Sequence, residues 1–306
     1  MSEYHVPVML EECLSALNVR KGGIYLDGTL GGGGHSSEIL KRGGPLIALD
    51  RDNEAIAESK KRFEDEKLSG YTIVKSNFHD AAKVLDDLGV DGIDGALLDL
   101  GISSHQIDDP ERGFSYRFDG KLDMRMDNDG GITAYDVVNE YSEDELVKIL
   151  FGYGEERFAK KIASAIVRER KIQPIRTTTE LSELVKKSTP EFYHRQGHPA
   201  KKTFQAIRIE VNGELDGLSE ALESIAAKIK SGGRFAVLTF HSLEDRIVKQ
   251  AFRLMCTDCI CDKSLPVCVC GHKATAKPIG KFKPTQKETN ENSRAASATL
   301  RVIEKL

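Results

Sequence analysis

No uncharged apolar run in this 306-residue chain approaches the ~18 residues that a membrane-spanning helix needs, so no bilayer-crossing segment is expected. The first twelve residues carry Glu3, His5, Glu11 and Glu12 and no apolar h-region, which argues against a signal peptide and for a cytoplasmic protein. An excess of one charge is also missing. With 44 Lys and Arg against 48 Asp and Glu, the formal net charge is −4, and the chain as a whole carries no nucleic-acid signature. No internal repeat is present. Cysteine is scarce outside one stretch, five of the six lying within residues 256–270. Such clustering in a non-secreted chain suggests thiols or a metal more than a disulfide framework.

What is there is the composition of a soluble globular protein, 40% hydrophobic and 30% charged, which excludes general disorder. The length suits one large or two ordinary domains. The first hundred residues alternate strand-like and helix-like segments. Gly23-Ile24-Tyr25-Leu26-Asp27, Leu46-Ile47-Ala48-Leu49-Asp50, Tyr71-Thr72-Ile73-Val74 and Ala96-Leu97-Leu98-Asp99-Leu100 read as short, nearly continuous apolar strands. Helices are expected between them over residues 36–42, 53–63 and 80–88. That rhythm implies a parallel sheet covered on both faces. It stops over residues 108–209, where the text is helical and charged. It resumes with a helix over 215–230, a strand at 234–240, a helix over 243–255 and a last strand at 298–303. The simplest reading is an α/β fold, one doubly wound and mostly parallel domain with a helical domain inserted after its fourth strand.

The insertion has a sharp charge split. Residues 108–156 hold 5 Lys and Arg against 14 Asp and Glu, whereas residues 157–208 hold 13 against 4, with His194 and His198 in addition. Residues 263–306 add 9 against 3. Solvated helix faces also carry charge, but blocks this lopsided favour an electrostatic footprint for a polyanion, which the acidic half hides in the net total. Lys160, Lys161, Arg168, Arg170, Lys201 and Lys202 are the candidate RNA contacts in that footprint.

Asp27-Gly28-Thr29-Leu30-Gly31-Gly32-Gly33-Gly34-His35 follows a strand and precedes a helix. Glycines there let the backbone fold tightly and bring a ligand close to peptide N–H groups. Asp50 ends the next strand, 19 residues after Gly31, where a carboxylate can accept hydrogen bonds from both ribose hydroxyls of an adenosine cofactor. The plainer alternative is a tight connection in a sheet whose ligand sits elsewhere. Asp27, Asp50 and Asp99 together make an acidic rim on the carboxyl edge of the sheet. Such a rim suits the sulfonium and ammonium of S-adenosylmethionine better than a dinucleotide's diphosphate.

These segments carry a family resemblance. Asp27-Gly28-Thr29 with Gly31-Gly32-Gly33-Gly34-His35-Ser36, then Ala48-Leu49-Asp50-Arg51-Asp52, then Leu98-Asp99-Leu100-Gly101-Ile102-Ser103-Ser104 resemble the bacterial 16S rRNA cytosine-N4 methyltransferases. So do Arg112-Gly113-Phe114-Ser115, Leu122-Asp123-Met124-Arg125-Met126, Lys202-Thr203-Phe204-Gln205-Ala206-Ile207-Arg208 and Phe240-His241-Ser242-Leu243-Glu244-Asp245-Arg246. The matches run from His5-Val6-Pro7-Val8 to Ser293-Arg294-Ala295, nearly the whole chain. The resemblance implies a Rossmann-like S-adenosylmethionine-dependent methyltransferase domain over residues 1–107 and 213–306, with an inserted helical RNA-recognition domain over 108–212. It implies methylation of the exocyclic amine of a cytosine, cytosine 1402, in the decoding region of 16S rRNA, in the assembled small ribosomal subunit. The cofactor contacts it implies are Gly33, Gly34, His35, Asp50, Phe78, Asp99 and Gln106. Beside Gln106, His105 stands where many relatives have proline.

Cytosine N4 is a poor nucleophile because its lone pair is delocalised into the ring, so a hydrogen-bond acceptor on N4–H is wanted as positive charge develops. Asp99 is the candidate, with service to the cofactor alone as the other role. Amino-directed methyltransferases often carry an Asp/Asn-Pro-Pro-aromatic tetrapeptide at this strand end. Asp99-Leu100-Gly101-Ile102 has neither proline nor ring, so the base must be held from outside it. Phe114, Tyr116, Phe118, Tyr193 and Phe204 are candidate stackers, or core. His241 can touch the base or a phosphate, or serve structure alone. The cysteine run Cys256-x2-Cys259-x-Cys261-x6-Cys268-x-Cys270 opens on zinc-ligand spacing. Its second pair is tighter than common zinc pairs, so reduced thiols are the expectation and no metal is assigned. Two rival readings remain. A nicotinamide-dependent oxidoreductase has only Tyr71-x3-Lys75 in its favour, and a non-catalytic RNA-binding protein has to set aside the glycine turn with Asp50 and Asp99.

Overall fold

The computed structural model describes residues 7–195, 197–262, 265 and 267–306. His5 and Val6 of the first motif, and Lys263 in the basic C-terminal count, lie outside them. The chain forms two compact units, residues up to Gly101 together with Gly217–Leu306, and Ile102–Asp216. They divide six residues earlier and four later than the bounds that the resemblance implied.

In the first unit α1 (Leu10–Leu17) precedes β1 (Tyr25–Asp27), α2 (Gly34–Lys41), β2 (Leu46–Asp50), α3 (Asn53–Asp65), β3 (Tyr71–Lys75), α4 (Ala81–Asp87) and β4 (Ile93–Asp99). The second unit contributes α5 (Ser104–Asp108), α6 (Ala134–Glu140), α7 (Glu143–Gly152), α8 (Ala159–Arg170), α9 (Thr178–Ser188), α10 (Glu191–His194) and α11 (Lys201–Asn212). The first unit then resumes with α12 (Leu218–Lys228), β5 (Ile229–Thr239), α13 (Ser242–Met255), β6 (Ala276–Phe282), α14 (Gln286–Glu291) and β7 (Thr299–Lys305).

The seven strands form one sheet in the order β3-β2-β1-β4-β5-β7-β6. The first five are parallel, and β7 runs antiparallel to both of its neighbours. Strand residues alternate between two buried layers, as a doubly covered sheet requires. Tyr25, Ala48, Leu97, Leu238 and Leu300 pack on the side that holds α1 and α2 with Phe63 of α3. Leu26, Leu49, Leu98, Val237 and Ile303 pack on the other, with residues of α4, α12 and α13. The strand β6 carries Lys277, Pro278 and Lys281, and four of its seven residues are exposed, which is the composition of an edge strand.

The helical unit is built on capping boxes that the sequence spells as Ser or Thr followed three residues later by an acid. Thr133 with Asp136 opens α6, Ser142 with Glu145 opens α7, and Thr177 with Glu180 opens α9. Its core gathers Val137, Leu146, Ile162, Ile166, Leu181 and Phe204, among others. Several of the motifs inside it serve this scaffold. Buried Arg112 donates to the Arg125 and Met126 carbonyls at 3.1 and 3.2 Å. Gly113 holds a φ of 70°, and a Cβ there would stand 2.1 Å from the Lys121 carbonyl oxygen.

Candidate active site

The strand order turns at β1 and β4. From β1 the chain runs outward to β2 and β3, while β4 leads the other way to β5, so the connections leave a crevice at the carboxyl ends of β1 and β4. The glycine turn sits there. Gly33 is the N-cap of α2 with φ 72°, and a Cβ on it would come within 2.8 Å of Ser59 Oγ and 3.0 Å of the Phe63 ring. A Cβ on Gly34 would meet Pro7 at 2.2 Å, whereas one on Gly32 would meet nothing within 4 Å.

The three acids of the rim do different things. Asp27 is buried, and its Oδ2 accepts from Ser36 Oγ at 2.7 Å while Oδ1 accepts from the Thr29 amide at 3.1 Å. Burial raises its pKa to about 6 despite those donors. Asp50 ties the turn to β2. Its Oδ2 accepts from the Gly31 amide at 2.8 Å and its Oδ1 from the Asp52 amide at 2.9 Å, and burial pushes its pKa up. Asp99 ends β4, where its backbone N–H donates to Thr29 Oγ1 at 2.6 Å. Its Oδ1 is buried without a hydrogen-bond partner among the described residues. Burial first, then the charges of Asp27 and Glu244, raise the Asp99 carboxyl to about 8.

His35 stands beside it. Its Nε2 lies 3.1 Å from the Val8 carbonyl oxygen, which fixes the ring proton on Nε2 and leaves Nδ1 facing Asp99 Oδ2 at 3.8 Å. Burial lowers the His35 pKa to about 4, so at neutral pH the ring is uncharged and makes no ion pair. Phe78 follows β3 in a short 3-10 turn capped by Asn77, its ring edge-on to His79 with centroids 4.4 Å apart. His241 is the N-cap of α13. Its backbone N–H donates to Glu244 Oε1 at 2.9 Å, and its Nε2 lies 3.1 Å from Glu244 Oε2. Thr29, which bridges Asp27 and Asp99, and buried Glu244 escaped the reading of the sequence. Each lay inside a quoted motif, but nothing in the linear spacing tied it to Asp99.

Gln106 belongs to the helical unit, where its Oε1 accepts from the Ser103 amide at 3.0 Å and closes the capping box of α5. The basic candidates divide. Lys160, Lys161, Arg168 and Lys201 are exposed, with Lys161 Nζ 5.9 Å from the centre of the Phe158 ring. Lys202 Nζ donates to the Glu155 carbonyl at 2.9 Å. Arg170 is a scaffold residue, its guanidinium donating to the Val138 carbonyl at 2.7 Å and to that of Tyr141, at the C-terminal end of α6. Among the candidate stackers Phe114, Tyr193 and Phe204 are buried. Tyr116 stacks on His198 at 4.3 Å, and Phe118 is exposed. Tyr71 and Lys75 both lie in strand β3, the former packed on Phe63.

An antiparallel seventh strand slotted between the fifth and the sixth sets this sheet apart from the dinucleotide-binding folds that share its parallel part. The class it defines is the Rossmann-like S-adenosylmethionine-dependent methyltransferases, here with a helical unit inserted after β4. The profile of the MraW methylase family matches residues 2–306. The chain is 49% identical to "Ribosomal RNA small subunit methyltransferase H" of Brevibacillus brevis, over 100% of this chain and 99% of that protein. Proteins of the same name from Fusobacterium nucleatum and Caldicellulosiruptor saccharolyticus are 50% and 52% identical. The first covers 100% of this chain and 98% of its own length, the second 99% of each. The chain belongs to the MraW methylase family. Among the described residues no helix is long and apolar enough to cross a membrane.

Proposed function

We propose that this chain transfers a methyl group from S-adenosylmethionine to the exocyclic N4 of a cytosine in 16S rRNA, in the decoding region of the assembled small subunit, as a cytoplasmic enzyme. The observation that carries the reading is Asp99, a partly exposed carboxyl whose Oδ1 is buried with no hydrogen-bond partner among the described residues, beside a glycine turn and two further acids. That donor set fits the cofactor, because clustered acids whose pKa values are raised gain from a cationic ligand and repel a diphosphate. When bound, the cofactor supplies a methyl group already activated by the sulfonium.

The protein's part is to hold, orient and accept a proton. The turn at Gly33 and Gly34, with Asp50 and Phe78, would hold the cofactor; the Asp50 oxygens are fixed by the Gly31 and Asp52 amides and keep lone pairs that ribose hydroxyls could use. Neutral His35 and Asp99 would complete the residues that hold it, and Gln106 is carried over by resemblance alone. Aligning two reactants in this way is worth ~7–11 kcal/mol of the barrier. Ionised Asp99 accepts the N4–H bond as charge builds on nitrogen, with His241 on the same strand edge. Exposed Lys160, Lys161, Arg168 and Lys201 supply phosphate contacts from the helical unit, and Lys202 adds its charge nearby.

The test is methyl transfer from labelled S-adenosylmethionine to unmodified small subunits and, in parallel, to free 16S rRNA, followed by nucleoside analysis. Label in N4-methylcytidine from subunits but not from free rRNA is the expected result. Label in another nucleoside, or none while the cofactor still binds, would overturn the acceptor.

A further inference from the structure

Between α13 and β6 the chain makes an excursion in which none of the described residues is buried. Ile260, Val267 and Val269 are 54%, 69% and 77% exposed. Its base is tied down: the Thr275 amide donates to the Met255 carbonyl at 2.8 Å, and His272 Nε2 lies 2.9 Å from the Leu254 carbonyl. Within it four thiols converge, those of Cys259, Cys261, Cys268 and Cys270, every Sγ within 4.8 Å of the others. Cys268 Sγ lies 3.4 Å from that of Cys259, 3.5 Å from that of Cys270 and 4.0 Å from that of Cys261; Cys259 and Cys270 are 3.9 Å apart. All are free cysteines.

Four thiolates at about 2.3 Å from a tetrahedral zinc sit about 3.8 Å from one another. The distances here scatter around that edge. The Val269 amide also donates to Cys261 Sγ at 3.4 Å, and amides of Ile260 and His272 donate to Cys270, as suits sulfurs that carry negative charge. Gly271, at φ 64°, turns the chain directly after the last of them. Cys256 is not of the set: it is the C-cap of α13 and packs against the sheet core, so the ligand pattern is two Cys-x-Cys pairs and not the Cys-x2-Cys that opens the run.

We propose that Cys259, Cys261, Cys268 and Cys270 bind one zinc ion as a closed structural site. Binding replaces four S–H protons, which pass to solvent, by four Zn–S bonds. No electrons move, and the site carries a net charge of −2. Four protein ligands leave no open position, so the ion has no part in methyl transfer. It holds together a segment that has too little apolar burial to fold unaided.

The test is elemental analysis of the untagged full chain, purified under reducing conditions with zinc in the medium. One zinc per chain that survives gel filtration is expected, falling below a tenth in Cys268→Ser and in Cys259→Ser and unchanged in Cys256→Ser and Cys13→Ser. Cobalt loaded in its place should show the visible spectrum of a tetrahedral thiolate site, and chelated wild-type protein should be cut by protease within residues 257–274 while the remainder stays intact. Metal-free wild-type protein whose four thiols react freely or run as disulfides would overturn the proposal. Zinc retained in Cys268→Ser would do so equally.

Discussion

Asp99→Asn keeps the shape of the side chain and the backbone bond to Thr29 but removes the titration. The carboxyl is held at about 8 by burial and by Asp27 and Glu244, so raising the pH ionises it late. With that value about one-eleventh of the free protein has Asp99 charged at pH 7 and about ten-elevenths at pH 9, a tenfold difference, or about 1.4 kcal/mol. If the ionised form accepts the N4 proton, kcat/KM for S-adenosylmethionine in wild-type protein should climb about tenfold from pH 7 to 9 and level off above. The profile of kcat should turn over at lower pH, because a bound cation favours the carboxylate. In the Asn variant the rate should fall by about 10²–10⁴, the usual worth of a positioned base, and lose the slope. Single-turnover methyl transfer to small subunits at fixed ionic strength reads both. A wild-type profile flat from pH 6 to 9, or an Asn variant that keeps the slope, would refute the role given to Asp99.

Asp50→Ala should weaken cofactor binding about tenfold or more, since a charged acceptor is lost and the Gly31 and Asp52 amides are left unpaired; calorimetry measures it, and unchanged affinity removes Asp50 from the site. Gly33→Ala should lower stability by about 1–3 kcal/mol in denaturant titration, as φ is left-handed and the new Cβ meets Ser59 and Phe63, whereas Gly32→Ala should be nearly neutral. Charge reversal at Lys160, Lys161, Lys201 and Lys202 should weaken RNA binding and flatten its salt dependence, leaving cofactor affinity unchanged; equal RNA affinity in a filter-binding assay moves the footprint elsewhere. Arg170→Ala should act on the stability of the helical unit, through the lost bonds to Val138 and Tyr141, and an effect on RNA affinity at full stability would contradict that assignment.

The parallel strands and the helices between them were legible because β1, β2 and β4 are buried on both faces and so spell short apolar runs bounded by glycine or a charge, and the edge strand β3 keeps enough apolar residues to follow the same rhythm. The strand β6 left no such trace. An edge strand with Pro278 and lysines has no hydrophobic period to read. The glycine turn, Asp50 and Asp99 were legible as a candidate site because strand ends fix where their side chains stand. What the spacing could not deliver were partnerships across the chain: Thr29 with Asp99, Glu244 beside it, and Arg170 with the end of α6. The cysteines make the same point. Counting along the sequence pairs Cys256 with Cys259, while the fold leaves Cys256 against the core and gathers the other four.

The helical unit separates β4 from β5 in the chain, yet the two pair side by side, Leu97 against Ala236 and Asp99 against Leu238. During synthesis, therefore, one wall of the crevice emerges long before its neighbour, and β7, the last of these seven strands in the chain, must still insert antiparallel between β5 and β6. A chain cut short anywhere before Thr299 leaves the backbone of β5 unpaired along one side, an open edge where the sheet should continue to β7 and β6. Strand β7 thus decides whether β5, and the neighbouring strand that ends in Asp99, lie inside a sheet or at its margin.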